Sequence, residues 1–189
     1  MRERRSLRLS GLILYVLILI GGQGHAKEIT VDFRAKIGFV DLPLQSVFQK
    51  SNDITGSYTY DSAAGDLAST DSLGMYKIQN FRFTHNGISA SSDGAQSGSG
   101  ILVINSEHMD IFDIQVTGDF VGSSIDGYEP WSMKMLFVFP PSTLSSDRLS
   151  FSAPSLIHAR SAELELIFKK ERSFSSVHAT VTAVRALSD

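Results

Sequence analysis

The sequence contains no cysteine among its 189 residues, and this absence excludes several kinds of chemistry. Thiol catalysis, zinc held by thiolates and a small cystine-stabilised scaffold all require cysteine. An exported chain without disulfides is stabilised by its core alone, because no covalent bridge restrains the unfolded chain. Together with the export signal described below, the absence is typical of a bacterial envelope or extracellular protein.

Clustered basic residues are also lacking. The 17 Lys and Arg residues are outnumbered by 20 Asp and Glu residues, which gives a net charge of −3. Nucleic acids and anionic membranes bind clustered Lys and Arg. Lys169, Lys170 and Arg172 lie close together, but Glu171 interrupts them. We therefore expect no nucleic-acid partner.

Long hydrophobic runs are absent, and the longest apolar segment lies near the N-terminus. Leu12–Ile20 falls well short of the roughly 20 residues that cross a bilayer. Basic residues precede it, and the small residues of Gly24-His25-Ala26 follow it. This arrangement predicts a secretory signal peptide over residues 1–26, with an uncleaved anchor as the alternative. The mature chain, residues 27–189, is then expected in the periplasm, on the cell surface or outside the cell, without a membrane span.

Alternating hydrophobicity predicts β-strands through most of the mature chain. In Ile29–Phe39 every odd position is apolar and nearly every even position is polar, as in a strand with one buried face. The same reasoning predicts strands at Ser57–Asp61, Met75–Thr84, Gly100–Ile104, Met109–Phe120, Met133–Phe139, Ala162–Phe168 and Ser176–Leu187. These segments, separated by turn residues, predict an all-β fold: a single antiparallel β-sandwich or jelly roll, with a closed barrel as the alternative.

Helix and loop signals are few. One short helix is predicted at Leu42–Lys50, with Asp41 as N-cap and Pro43 in its first turn. The Gly/Ser-rich segment Ser89–Gly100 is predicted to be a mobile loop, because it has little to bury.

Three equally spaced aspartates, Asp61, Asp66 and Asp71, lie within the segment GSYTYDSAAGDLASTDSLGMY. Carboxylates and backbone carbonyls are ligands for Ca²⁺, so these residues are candidates for a calcium site. Their interval of five does not match the alternating oxygens of an EF-hand. Aspartate also favours turns, because its side chain accepts hydrogen bonds from nearby N–H groups. The turn interpretation is favoured, with Ser62–Gly74 as an exposed connection.

The only tryptophan, Trp131, closely follows Tyr128 and Glu129. An exposed aromatic ring can stack on a sugar, and a neighbouring carboxylate can bind its hydroxyls. These three residues are therefore the best candidates for a glycan site. Burial of Trp131 as a lid over the core is the favoured alternative, because a large aromatic side chain gains most when buried.

No catalytic motif is evident. The mature histidines form neither H-x-H nor H-E-x-x-H, and no serine lies in G-x-S-x-G. Glycoside hydrolysis needs a pair of carboxyl groups. Turns and solvated strand faces account for the carboxylates that could form one, namely Asp110, Asp113, Asp119, Asp126 and Glu129. No catalytic residue is assigned.

Several short segments together resemble bacterial exported proteins of the PEP-CTERM type. Gly56–Asp61 matches the pattern G-x-[FY]-x-Y-D, and Tyr76 and Phe81–Phe83 follow it. Further matching segments are Ile101–Asn105 with Asp113, Leu144–Phe151 and Ala179–Val184. The C-terminal Pro-Glu-Pro motif, membrane helix and basic tail of that family are missing, and Ser150 replaces a proline. The resemblance implies an exported β-rich protein, often linked to exopolysaccharide, and carries over no catalytic residue.

Two functional hypotheses follow. The first is an exported, non-catalytic protein of the cell envelope or extracellular matrix, with polysaccharide or envelope proteins as partners. The second is a hydrolase or lyase that acts on polysaccharide. No cofactor is expected apart from the Ca²⁺ considered above.

Overall fold

A computed structural model describes residues 28–68, 70, 72–94, 98–118, 120–144, 149 and 153–187. The predicted signal peptide, Asp71 and Asp119 lie outside these residues, as does part of Leu144–Phe151. Within the described part, no helix is long and apolar enough to cross a membrane.

The described residues form eleven β-strands and two short 3-10 helices. The helices are Leu42–Leu44 and Leu156–His158. The strands are β1 Glu28–Val40, β2 Asp53–Asp61, β3 Leu73–Tyr76, β4 Ile78–His85, β5 Ile88–Ser92, β6 Gly100–Asn105, β7 Asp110–Thr117, β8 Val121–Gly122, β9 Glu129–Phe139, β10 Ser161–Lys170 and β11 Ser173–Leu187.

These strands form one continuous antiparallel sheet in the order β3-β6-β7-β9-β10-β11-β1-β2-β4-β5-β8. Four strand spacings separate β10 from β4, which is about 19 Å in a flat sheet. The rings of Phe83 on β4 and Phe168 on β10 nevertheless lie 6.2 Å apart. The sheet is therefore strongly curled into a half-barrel. The all-β prediction is confirmed, and the strands belong to one curled sheet rather than to two separate sheets.

The concave face of the sheet holds the core, as the period-two pattern of β1 predicts. Alternate residues of β1 from Ile29 to Ile37 are buried, while those between them are more exposed. Phe33 of β1 stacks on Phe81 of β4 with ring centroids 5.8 Å apart. Gly56 lies between their strands, and a Cβ atom there would overlap the Phe33 ring and the Arg82 carbonyl oxygen. The absence of a side chain at Gly56 thus makes room for the aromatic stack.

The predicted strand Met75–Thr84 is interrupted at Lys77. The residues before Lys77 belong to β3 and pair with β6, whereas those after it belong to β4 and pair with β2. The chain therefore passes from β3, at one edge of the sheet, to β4, which lies near the other edge. This crossing brings β3, β6 and β7 close to β4.

Two local predictions were too simple. The helical segment is a 3-10 helix of Leu42–Leu44, and Asp41 makes no side-chain capping bond to it. The Asp41 carboxylate instead accepts hydrogen bonds from Ser176 N at 2.6 Å and Ser176 Oγ at 3.0 Å, which joins the end of β1 to β11. Within the predicted mobile loop, residues 89–92 belong to β5, whose Ala90 and Ser92 are buried.

Candidate functional site

A cleft of about 840 Å³ opens where the chain crosses from β3 to β4. Its volume lies within the range typical of small-ligand sites. One wall is formed by Met75, Leu102 and Asp113, which are paired in a row across β3, β6 and β7. Lys77 at the crossing and Ala64 and Leu67 of the β2–β3 connection also line the cleft.

The β2–β3 connection forms the rim of the cleft because Asp66 holds it against β3. Oδ1 of Asp66 accepts hydrogen bonds from the backbone N–H groups of Ala68 and Met75, each at 2.8 Å. These two bonds, the Met75 bond foremost, lower the pKa of Asp66. The N–H of Leu67 in turn donates to the carbonyl oxygen of Met75 at 2.8 Å. The connection thereby covers part of the edge of β3, which would otherwise present unpaired backbone groups.

Asp113 and Gln115 of β7 supply polar groups to the cleft. Residues two apart on a strand share a face, so the Gln115 amide can reach the Asp113 carboxylate. Gln115 Nε2 donates to Asp113 Oδ2 at 2.8 Å, and Lys134 Nζ lies 3.5 Å from the same oxygen. The Asp113 side chain is only 7% exposed.

The second carboxylate oxygen of Asp113 is an exception to the usual pairing of buried polar atoms. Oδ1 is buried and has no hydrogen-bond partner among the described residues. Leaving such an acceptor unpaired costs about 1–3 kcal/mol. Exceptions of this kind in folded proteins call for a specific explanation, such as a functional role or a bound molecule. A ligand that donates a hydrogen bond to Oδ1, once the carboxylate turns this buried oxygen toward the cleft, would remove this cost.

Two of the three aspartates proposed for calcium, Asp61 and Asp66, accept hydrogen bonds from nearby backbone N–H groups. Asp61 Oδ1 accepts a hydrogen bond from Ala63 N at 2.8 Å, and Asp66 makes the two backbone bonds described above. No group of three or more His, Cys, Asp or Glu residues in the described part of the chain is placed to hold a metal ion. Because Asp71 lies outside that part, the three-aspartate calcium site stays a prediction. Asp61 does line the cleft, together with Asp93 and Asp113.

Trp131 lies at the start of β9, where it is the extra residue of a bulge opposite β10. It is partly exposed rather than buried as a lid, and Lys169 Nζ lies 4.1 Å from its ring centroid. Tyr128 packs against the core, with Lys170 Nζ 5.6 Å from its ring. Because Lys169 and Lys170 are consecutive in β10, they point to opposite faces of the sheet. Trp131 and Tyr128 therefore do not converge, and the exposed Glu129 does not join them into one site.

A groove of about 390 Å³ lies on the other side of Lys134. It is lined by Phe39, Glu163, Glu165 and His178, together with Lys134 itself. The Phe39 side chain is 56% exposed and its ring lies 5.8 Å from that of His178. Since Lys134 also contacts Asp113, the groove and the cleft meet at this ion pair. The sequence analysis missed this groove, because Phe39 and His178 become neighbours only through the β1–β11 register.

A serine and a histidine meet in this region without forming a catalytic triad. Ser176 Oγ donates to Asp41 Oδ2 and lies 3.0 Å from His178 Nε2. Glu165 Oε1 approaches the same ring nitrogen at 3.7 Å. In a triad, the carboxylate binds the opposite ring nitrogen and the serine proton faces the histidine. This arrangement therefore does not activate Ser176 as a nucleophile.

Comparisons with protein-family models, with curated proteins and with solved structures found no match.

Proposed function

We propose that the mature chain is an exported, non-catalytic protein of the cell envelope or extracellular matrix that binds glycan in the cleft. The observation that carries this proposal is the buried Oδ1 of Asp113, which lacks a hydrogen-bond donor among the described residues. A sugar supplies hydroxyl donors at close intervals, so it is a natural ligand for such an oxygen. The PEP-CTERM-type resemblance supports an exopolysaccharide as the source of that sugar.

The chemistry of the cleft suits a sugar on both its polar and its apolar sides. Asp113 and Gln115 offer carboxylate and amide groups for hydroxyls, while Met75, Leu67 and Leu102 offer apolar contact for the C–H faces of the ring. A binding site of this kind combines a mostly apolar lining with a few placed polar groups.

The adjoining groove indicates how an extended glycan would lie. Phe39 provides an exposed aromatic ring, and Lys134, Glu163, Glu165 and His178 provide polar groups around it. A polysaccharide would pass from the cleft across the Lys134–Asp113 ion pair into this groove. In this proposal the two halves of the curled sheet act as the layers of a sandwich that presents one outer face to the polymer.

A hydrolase or lyase is the second candidate, and one observation favours it. Asp61, Asp93 and Asp113 line the same cleft, and glycoside hydrolysis uses two carboxyl groups about 5–9 Å apart. The binding function is preferred because the contacts of Asp61 and Asp113 are structural. Asp61 accepts a backbone hydrogen bond from Ala63, and Asp113 is held by Gln115 and Lys134.

A glycan array, combined with a reducing-sugar assay and a test for unsaturated products on the same polysaccharides, separates the two functions. Binding without release of new ends supports the proposed function, and release supports the enzyme. The variant Asp113→Asn keeps the shape of the side chain but removes its charge, and is expected to lose binding to the neutral glycans of the array. Asp53→Asn, at an exposed carboxylate outside the cleft, is the matched control and should bind like the unmodified protein.

A further inference from the structure

A second groove, of about 500 Å³, lies on the outer face of β11, β1, β2 and β4. Three arginines line it: Arg34, Arg82 and Arg185. Asp32 is the one carboxylate among the residues that line the groove. Its lining is therefore cationic, in contrast to the net-acidic chain. The cleft at the crossing from β3 to β4 is lined instead by Asp61, Asp93 and Asp113.

The strand register fixes the positions of these arginines. Arg185 is paired with Asp32, Asp32 with Ser57, and Ser57 with Arg82, so this row crosses four strands. Arg34 lies two residues along β1 from Asp32 and therefore on the same face. The floor between them contains Gly56, which has no side chain, and Thr55 and Thr84, whose side chains are small, so the groove stays open.

The guanidinium groups are only weakly engaged by the protein itself. Arg34 Nε lies 4.0 Å from Asp53 Oδ2. Within the described ranges, neither Arg82 nor Arg185 has a carboxylate oxygen that close. Arg82 Nε donates to Ser57 Oγ at 2.8 Å, which orients the guanidinium and leaves its terminal nitrogens available for a ligand. Arginine in such a position binds planar oxyanions through two parallel hydrogen bonds.

We propose that this groove binds a polysaccharide that carries carboxylate or sulfate groups. The Cα atoms of Arg185 and Arg82 are three strand spacings apart, or about 14 Å, and Arg34 is offset by about 7 Å along its strand. The three arginines are spread across the groove, so successive charged units of a polymer can contact them together. The groove is separate from the cleft, so this proposal does not depend on the glycan site at Asp113.

Isothermal titration tests the proposal with three defined hexasaccharides: an oligogalacturonate, a sulfated oligomer and a neutral malto-oligosaccharide. Monomeric galacturonate and an oligonucleotide of equal charge are added as comparisons. We expect at least one anionic hexasaccharide to bind at low salt, with affinity falling as salt rises because exposed charges are screened. In Asp113→Asn, in which the cleft is impaired, the neutral oligomer should bind at least about tenfold more weakly than the anionic hexasaccharide, and so should the monomer and the oligonucleotide. This difference is large enough to separate recognition from general attraction.

The variant Arg82→Gln/Arg185→Gln should weaken binding of the anionic hexasaccharide at least about tenfold, because charged hydrogen-bonding groups are lost. Arg160→Gln/Arg172→Gln removes the same charge at exposed positions outside the groove and should leave binding unchanged. Asp113→Asn should also leave it unchanged, which separates this site from the cleft. Three results would each overturn the proposal. They are an equal loss of affinity in the two double-arginine variants, no binding of either anionic hexasaccharide, and binding of the oligonucleotide as tight as that of the hexasaccharide.

Discussion

Lys134 Nζ lies 3.5 Å from Oδ2 of Asp113, and this ion pair engages only one of the two carboxylate oxygens. The other oxygen, Oδ1, is buried without a partner in the described part of the chain. The ion pair thus holds Asp113 at the cleft but supplies no hydrogen-bond donor to Oδ1. If a ligand donates a hydrogen bond to Oδ1, the free energy of unfolding of the unliganded protein is lowered by the unpaired oxygen.

Replacing both members of the pair by apolar residues tests that cost. We expect Asp113→Leu/Lys134→Met to fold at least as stably as the unmodified protein, because no buried acceptor is left unpaired. Lys134→Met alone should lower the free energy of unfolding by about 1 kcal/mol, a modest value because the Lys134 side chain is 40% exposed. Chemical denaturation measures both. The exposed pair Arg34 and Asp53, changed to Met and Leu, is the control and should change stability little. A double variant less stable than the unmodified protein would contradict this interpretation.

The buried tyrosines of β2 predict unfolding at alkaline pH. Burial, and to a lesser extent the charge of Tyr60, raises the pKa of Tyr58 well above 10.0, and burial raises the pKa of Tyr60 to about 12. The folded protein therefore holds these protons more tightly than the unfolded chain. Stability should be complete below about pH 10 and fall as the pH rises toward 12 and above. Circular dichroism during an alkaline titration measures this loss.

Tyr58→Phe is the informative variant, because the Tyr58 hydroxyl is buried without a partner among the described residues. We expect it to raise stability at neutral pH by about 1 kcal/mol, since an unpaired polar group is removed. It should also shift alkaline unfolding to higher pH. A loss of stability in Tyr58→Phe would show that the hydroxyl has a partner.

The hydrogen bonds accepted by Asp66 predict that the rim of the cleft is sensitive to acid. Hydrogen bonds from Met75 N and Ala68 N lower its pKa below the ordinary 3.8. Their contribution is therefore present above about pH 4 and is lost as the pH falls through the lowered pKa. An NMR titration should show the Asp66 carboxyl and the Met75 amide changing together with a midpoint below 3.8. Asp66→Asn should abolish the titration at Met75, and a midpoint at or above 3.8 would contradict the hydrogen bonds.

Trp131 is the only tryptophan, so its fluorescence reports one environment. We expect partial quenching by acrylamide, because the ring is partly exposed and Lys169 lies over it. Trp131→Ala should lower stability by about 1–2 kcal/mol, less than the 3–5 kcal/mol typical of buried aromatic side chains. It should leave glycan binding in the cleft unchanged. An emission that resists quenching, with a loss of 3–5 kcal/mol, would instead place the ring in the core.

Local hydrophobic alternation was sufficient to predict most of the strands but not their partners. The predicted strand Ile29–Phe39 is found as Glu28–Val40, since its period of two depends on adjacent residues alone. The break at Lys77 was missed because both β3 and β4 are apolar enough to look like one strand. Their different partners depend on contacts far apart in the sequence, which short patterns do not specify.

The candidate site was likewise predicted only in part from the sequence. Asp113 was recognised as one of several carboxylates, but its burial and its contact with Lys134 depend on the pairing of β7 with β9. Gln115 was not singled out, because an isolated glutamine carries no motif. Asp66 was placed correctly in a turn, yet its bond to Met75 requires β3 to form the edge of the sheet.

A calorimetric titration tests whether Asp113 binds glycan in the cleft. The neutral glycan with the strongest array signal is titrated into the unmodified protein, Asp113→Asn and the control Asp53→Asn. We predict that Asp113→Asn loses at least about tenfold in affinity, because a charged acceptor for ligand hydroxyls becomes neutral, while Asp53→Asn retains the original affinity. Unchanged affinity in Asp113→Asn, or an equal loss in both variants, would contradict the claim.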